Sequence, residues 1–161
     1  MRPTKPPPFL TDRDAAQRLE AYLREAIPLV GYMDVRVLSA DVKGVIVEAP
    51  LAPNRNHLGT AFGASLHGVA TLACWGLVWL VLEDHAEREI VVADSRMRYR
   101  APAEATFQAR CPLPPADAIE ELRAAFMARP RARIELEAHV ECGGTRVADF
   151  EGAFYALRPE R

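Results

Sequence analysis

The sequence predicts an α+β domain in which an antiparallel sheet of six strands curves around one long apolar helix, with a further helix at the N-terminus. Three observations predict it. Between Arg55 and Glu83 there is no Asp, Glu, Lys or Arg, in a chain that is otherwise 26% charged. The segments on both sides alternate apolar and polar residues, the period of a strand with one covered face. A chain of 161 residues also has the size of one domain that can bury a core without disulfide or metal staples.

The elements follow in order. The lead MRPTKPPPFL, residues 1–10, is too rich in proline for a secretion signal and reads as an extension; residues 11–161 read as a single domain. Thr11 is placed to cap a helix whose apolar positions Ala15, Leu19, Tyr22, Leu23, Ala26 and Ile27 recur at helical spacing until Pro28 stops it. Met33 to Ser39 alternates, Lys43-Gly44 offers a turn, and Val45 to Ala49 returns before Pro50.

After the charge-free stretch, Glu89 to Arg100 sets Ser95, Met97 and Tyr99 against Arg96, Arg98 and Arg100, and Ala101-Pro102 breaks the strand. Ala105 to Cys111 is a further strand, ended by Pro112, Pro114 and Pro115. Asp117 with Glu120 resembles a capping pair for a short helix carrying Ile119, Leu122 and Phe126 on one side. Ala132 to Val140 and Thr145 to Leu157 form a hairpin about Gly143-Gly144.

Ala64 to Leu82 is long and apolar enough to cross a membrane, but Ser65, His67 and Thr71 interrupt it and no basic cluster flanks it. The flanking strands would also lose the cover for their apolar faces. As a core helix it is apolar all round, so the sheet must curl about it. A second surface must close the remainder: the N-terminal helix, a twin copy, or both.

A net charge of −2 offers no general attraction to nucleic acid or anionic lipid. Cys74, Cys111 and Cys142 are widely spaced and suggest neither a disulfide framework nor a zinc ribbon, which fits a reducing cytoplasm. The four histidines are too scattered for a metal site.

The loop Asn56-His57-Leu58-Gly59-Thr60-Ala61-Phe62-Gly63-Ala64, entering a long helix enclosed by antiparallel strands, resembles the entry loop of hotdog-fold thioesterases. More narrowly, PNRNHLGTAFGASL, CWGLVWL and ADSRMRYRAP resemble the thioesterase domain at the C-terminus of some bacterial acetyltransferases, the YiiD type. The resemblance covers about Leu29 to Leu157. It implies an acyl-coenzyme A or acyl-carrier-protein thioester as substrate, no cofactor beyond the coenzyme A of that substrate, and a homodimer or dimer of dimers.

Thioester hydrolysis needs donors for the carbonyl oxygen, a positioned water and a proton acceptor. A helix starting near Gly63 presents unpaired N–H groups with partial positive charge, and no side chain there holds a ligand away. Asn56 can add an amide donor; alternatively Asn54 and Asn56 only shape a turn. By resemblance, Gly63 matches the glycine whose amide polarises the carbonyl and Asn56 the assisting asparagine, with Phe62 and Ala64 expected to border the substrate. The pattern is broken where histidine often precedes the glycine, here Phe62, and where the helix often carries the catalytic carboxylate, here Thr71.

Three residues can make up for the missing carboxylate. Asp94 can join Thr71 to activate water, or cap its strand. His67 shares a helix face with Thr71 and can act as acid/base or as a hydrogen-bonded core histidine. Ser95 can hold a water but alternates with Asp94 and faces away from it. Arg98 and Arg100, with Arg96, can meet coenzyme A phosphates or form a solvated face. A non-catalytic acyl-thioester binding module is the rival reading, and a hydratase, with only His67 to serve it, is a third.

Overall fold

The computed structural model describes residues 7–159. Its centre is α3 (Gly63–Val81), a 19-residue helix with Leu66, Val69, Ala73, Cys74, Leu77, Val78 and Leu80 all buried. Six antiparallel strands enclose it: β1 (Arg36–Asp41), β2 (Gly44–Ala49), β3 (Glu89–Tyr99), β4 (Phe107–Pro112), β5 (Arg131–Cys142) and β6 (Thr145–Leu157). Their order across the sheet is β1-β2-β4-β5-β6-β3, so β3 forms one edge. The helix that meets the length and composition of a membrane span is thus the core of the fold.

The β5–β6 hairpin forms as the alternation predicts. Cys142 pairs with Thr145 across Gly143 and Gly144, both at positive φ, the conformation that a two-residue hairpin turn requires. Its inward side chains Leu136, Ala138, Val140, Phe150 and Phe154 are buried against the helix layer. The first hairpin turns one residue earlier than expected: Asp41 pairs with Gly44 about Val42 and Lys43. Gly44 is therefore the first strand residue, at φ +116°, where its backbone lies against β4.

The N-terminal region departs from the expectation in two ways. Helix α1 (Ala15–Ala26) opens after a 3-10 turn over Pro8–Thr11, and Asp12, not Thr11, accepts a hydrogen bond from the Asp14 N–H. Pro28 ends α1 but also begins α2 (Pro28–Tyr32), because proline is favoured at the first position of a helix. Residues 1–6 of the predicted extension lie outside the described residues, while Phe9 is fully buried in the core.

Helix α1 closes one side of α3. Leu19 packs so tightly that its Cδ2 lies 2.7 Å from the position a Cβ would take on Gly76. Tyr22 stacks on Trp75 and Trp79 with ring centroids 6.0 and 5.0 Å away, and the Trp75 indole donates to the Ile90 carbonyl at 2.8 Å. Part of the second surface demanded by an all-round apolar helix is thus the chain's own N-terminal helix.

Helix α4 (Ala116–Ala128) buries Ile119, Leu122 and Phe126, as its spacing predicts, and guards the other end of α3. Arg123 donates to the Val81 carbonyl and, at 2.6 Å, to the Asp84 carboxylate. Cations are favoured at helix C-termini, so Arg123→Ala should cost about 2 kcal/mol by thermal or denaturant unfolding. The hydrogen bond from Arg123 holds the Asp84 pKa below its ordinary value. Its contribution is therefore present above the unfolded carboxylate pKa and is lost as pH falls through the folded value. The gap between variant and parent should therefore narrow only as pH falls below the ordinary carboxylate value of about 3.9, leaving the part carried by the Val81 carbonyl.

Candidate functional site

The loop that delivers the chain to α3 is held by two asparagines with different tasks. Asn56 closes its own turn: its Oδ1 accepts from Leu58 N–H (2.9 Å) and Thr60 N–H (3.2 Å), and its Nδ2 donates to Thr60 Oγ1 (3.0 Å). Gly59, at φ +82°, lets the turn complete. The Asn56 amide is thus engaged in shaping the loop. Asn54 is only 2% exposed; its Nδ2 donates to the carbonyls of Met33 and Pro50, both at 2.8 Å, and its own carbonyl accepts from Phe62 N–H at 2.7 Å. It fastens the start of α3 to the corner after α2.

At the head of α3, Ser65 and Leu66 N–H groups donate to the Phe62 carbonyl. The N–H groups of Gly63 and Ala64 have no hydrogen-bond partner among the described residues. Tyr99 of β3 donates its hydroxyl to the Gly63 carbonyl at 3.0 Å, and its ring lies 3.3 Å from where a Gly63 side chain would begin. Gly63 is therefore the residue that this close approach permits. Phe62 and Leu58 stand exposed beside it.

Beside that first turn lies a hollow of about 280 Å³ between α2 and α3. Ala64, His67, Gly68, Thr71 and Leu72 form one wall, and Ile27, Leu29, Val30 and Met33 the other. Only His67 and Thr71 bring polar side-chain atoms to it. The His67 Nε2 lies 3.0 Å from Ser95 Oγ, and its ring packs on Phe150 with centroids 5.5 Å apart. The hydroxyl comes from β3 at a position that pairs with Gly152, on the face turned toward α3.

The structure brings Gly63, Ala64, His67 and Thr71 to one place and keeps Asp94, Arg98 and Arg100 from it. A bulge after Val92 resets β3 so that Asp94 pairs with Ala153, Arg96 with Glu151 and Arg98 with Asp149, all on the outer face of the sheet. Within one chain Asp94 thus lies across the sheet from Thr71, and the two do not meet.

Arg98 and Arg100 line a separate depression of about 250 Å³ with Arg96, Arg146 and Asp149. Burial works against the Asp149 carboxylate, yet hydrogen bonds from Arg100 and Arg146 hold its pKa below the ordinary range. Arg98 has no acidic partner among the described residues. A cavity of about 670 Å³ is also on the outer face, where Asp94, Glu135, Glu137 and Glu151 stand opposite Leu113, Pro114 and Pro115. Among the described residues no group of His, Cys, Asp and Glu is arranged for a metal.

Three contributors carry no signal in the sequence for the parts they play: Tyr99 at Gly63, Asn54 at the loop base, and the α2 wall. Alternation sets Tyr99 on the face opposite the arginines, but its reach of 36 residues to Gly63 leaves no local trace.

A family model described as "Putative thioesterase (yiiD_Cterm)" matches residues 16–158. Three solved structures are similar over nearly the whole length. A protein of unknown function from Chlorobaculum tepidum is 28% identical, with a TM-score of 0.88 over 94% of this chain and 99% of its own. A thioesterase, so described as putative, from Shewanella oneidensis is 31% identical, with a TM-score of 0.80 over 91% and 99%. A protein from Pseudomonas aeruginosa described as a probable thioesterase is 25% identical, with a TM-score of 0.75 over 89% and 96%. With a curved six-stranded sheet around its central helix and this match over most of its length, the chain is a hotdog-fold protein and belongs to the YiiD C-terminal thioesterase family.

Proposed function

We propose that the chain hydrolyses acyl thioesters of coenzyme A or acyl carrier protein to a carboxylate and a thiol, without a cofactor of its own. The observation that carries this reading is the pair of unpartnered N–H groups at Gly63 and Ala64, beside an apolar hollow that contains a histidine fixed by a serine. The thioester oxygen would accept from those N–H groups, which lie where the helix dipole favours developing negative charge. The acyl chain would occupy the hollow.

In this reading His67 donates Nε2–H to Ser95 Oγ and turns the Nδ1 lone pair to a water that the Thr71 hydroxyl orients one helical turn away. Water attacks the carbonyl carbon while Nδ1 takes its proton. Collapse of the tetrahedral intermediate breaks the carbon–sulfur bond, and the imidazolium returns the proton to the leaving thiolate. Arg98 and Arg100 flank Tyr99, which touches Gly63, so a carrier's phosphates crossing the rim of β3 would meet them.

We assign the protein to the cytoplasm and to a homodimer or dimer of dimers. Supporting the dimer, β3 has no strand on its outer edge among the described residues and exposes Val91, Val92 and Tyr99, a combination that sheets ordinarily cover.

Thiol release from coenzyme A thioesters of two to sixteen carbons tests the activity. His67→Gln should lower kcat about 100-fold with little change in KM, and Ser95→Ala about tenfold. Because the hollow is lined by no carboxylate, a non-catalytic acyl-thioester binder is the second reading. Saturable calorimetric binding of a thioester that stays intact for hours would select it.

A further inference from the structure

The geometry points to linear, unsubstituted acyl chains of medium length as the ligand, with Met33, seated against Gly68, as the floor that measures them. This rests on the hollow being the acyl site of the proposed hydrolysis. Burial orients the hollow. Leu29 and Ala64 are exposed and form its rim, whereas Val30 is 1% and Met33 7% exposed and form its floor. The Met33 thioether ends at Gly68: its Cε lies 3.4 Å, and its sulfur 3.7 Å, from where a Gly68 side chain would begin.

The floor is fixed in place. Asn54 holds the Met33 carbonyl, and Asp34, next in the chain, turns it at φ +53°, while Val35 N–H returns to the Val30 carbonyl at 3.0 Å. The α2 corner is therefore anchored to the same loop that positions Phe62 and the head of α3. This sets the depth from the unpaired N–H groups to the floor.

Volume and lining set the ligand class. About 280 Å³ holds roughly nine water-sized groups at about 30 Å³ each, which suits a chain of about six to ten carbons and leaves a longer one in solvent. Only His67 and Thr71 offer polar contacts, and in the proposed reaction both are engaged at the carbonyl. An acyl group with a distal carboxylate or hydroxyl would find no partner at the floor.

The test compares chain-length profiles of Gly68→Ala and Met33→Ala with the parent, read twice: by kcat/KM on acyl-coenzyme A of two to sixteen carbons, and by calorimetric binding of the non-hydrolysable thioethers of the same lengths. The parent should peak between six and ten carbons, affinity rising about fourfold per methylene up to that point and flattening beyond it. Gly68→Ala raises helix propensity and should fold, and its methyl, meeting the Met33 thioether, should push that floor into the hollow and shorten the optimum by about two carbons. Met33→Ala should lengthen it by a similar amount. Profiles in binding and turnover that are the same in Gly68→Ala as in the parent would overturn the assignment while leaving thioester hydrolysis intact. Shifted binding profiles without turnover would uphold it and refute the hydrolysis. A parent that prefers dicarboxylic or hydroxylated acyl groups would also overturn it.

Discussion

Gly63→Val is expected to reduce kcat/KM for the best acyl thioester by at least about 100-fold, the scale of losing one preorganised oxyanion donor. The first carbon of the new side chain would lie 3.3 Å from Cζ and Oη of Tyr99, closer than side chains ordinarily pack, and two further methyls would extend from it. Tyr99 would have to swing away and give up its hydrogen bond to the Gly63 carbonyl. The same methyls would crowd any ligand oxygen approaching the Gly63 N–H. Because Tyr99 is half exposed and can move, the fold should lose only about 1 kcal/mol. Thermal unfolding alongside steady-state kinetics separates the two effects, and a loss in kcat/KM below threefold would remove Gly63 from the site.

Gly44→Ala is expected to be the most damaging substitution for stability, at about 4 kcal/mol or more. At φ +116° an L-residue is strained whatever the surrounding space. Here there is no space: a Cβ would lie 2.0 Å from the Cys111 carbonyl oxygen and 2.8 Å from the Leu113 nitrogen. These are backbone atoms of β4 and the residue after it, so no rotamer change relieves the clash and β2 must part from β4. With total stabilities of about 5–15 kcal/mol, such a change takes a large share. Melting should fall by about 10 °C or more. A drop of less than about 3 °C would show that the β2–β4 pairing yields more readily than its geometry suggests.

Much of the architecture was legible because burial leaves a periodic trace. The charge-free run became α3, the alternation of β5 and β6 became the hairpin, and Ile119, Leu122 and Phe126 became the buried face of α4. Gly63 was legible as a helix start because the apolar run begins there. What stayed hidden depends on contacts distant in sequence. Asn54 reads as a turn residue, and only the fold shows it buried between Met33, Pro50 and Phe62.

Alternation correctly opposed Ser95 to Asp94, but gave no means of telling which would face the helix. Pairing with Gly152 turns Ser95 inward to His67 and sends Asp94 outward with Ala153. In the sequence Pro28 predicts a stop, because proline ends the helix before it. The same residue starts α2, and α2 supplies half of the hollow.

The hydroxyl of Tyr99 ties the open margin of the sheet to the head of the central rod. Whatever occupies that margin is mechanically linked to the point at which the acyl group would be gripped. Dilution that strips an occupant from the margin should therefore register as lost turnover as well as a smaller particle, with both changes following a single concentration midpoint.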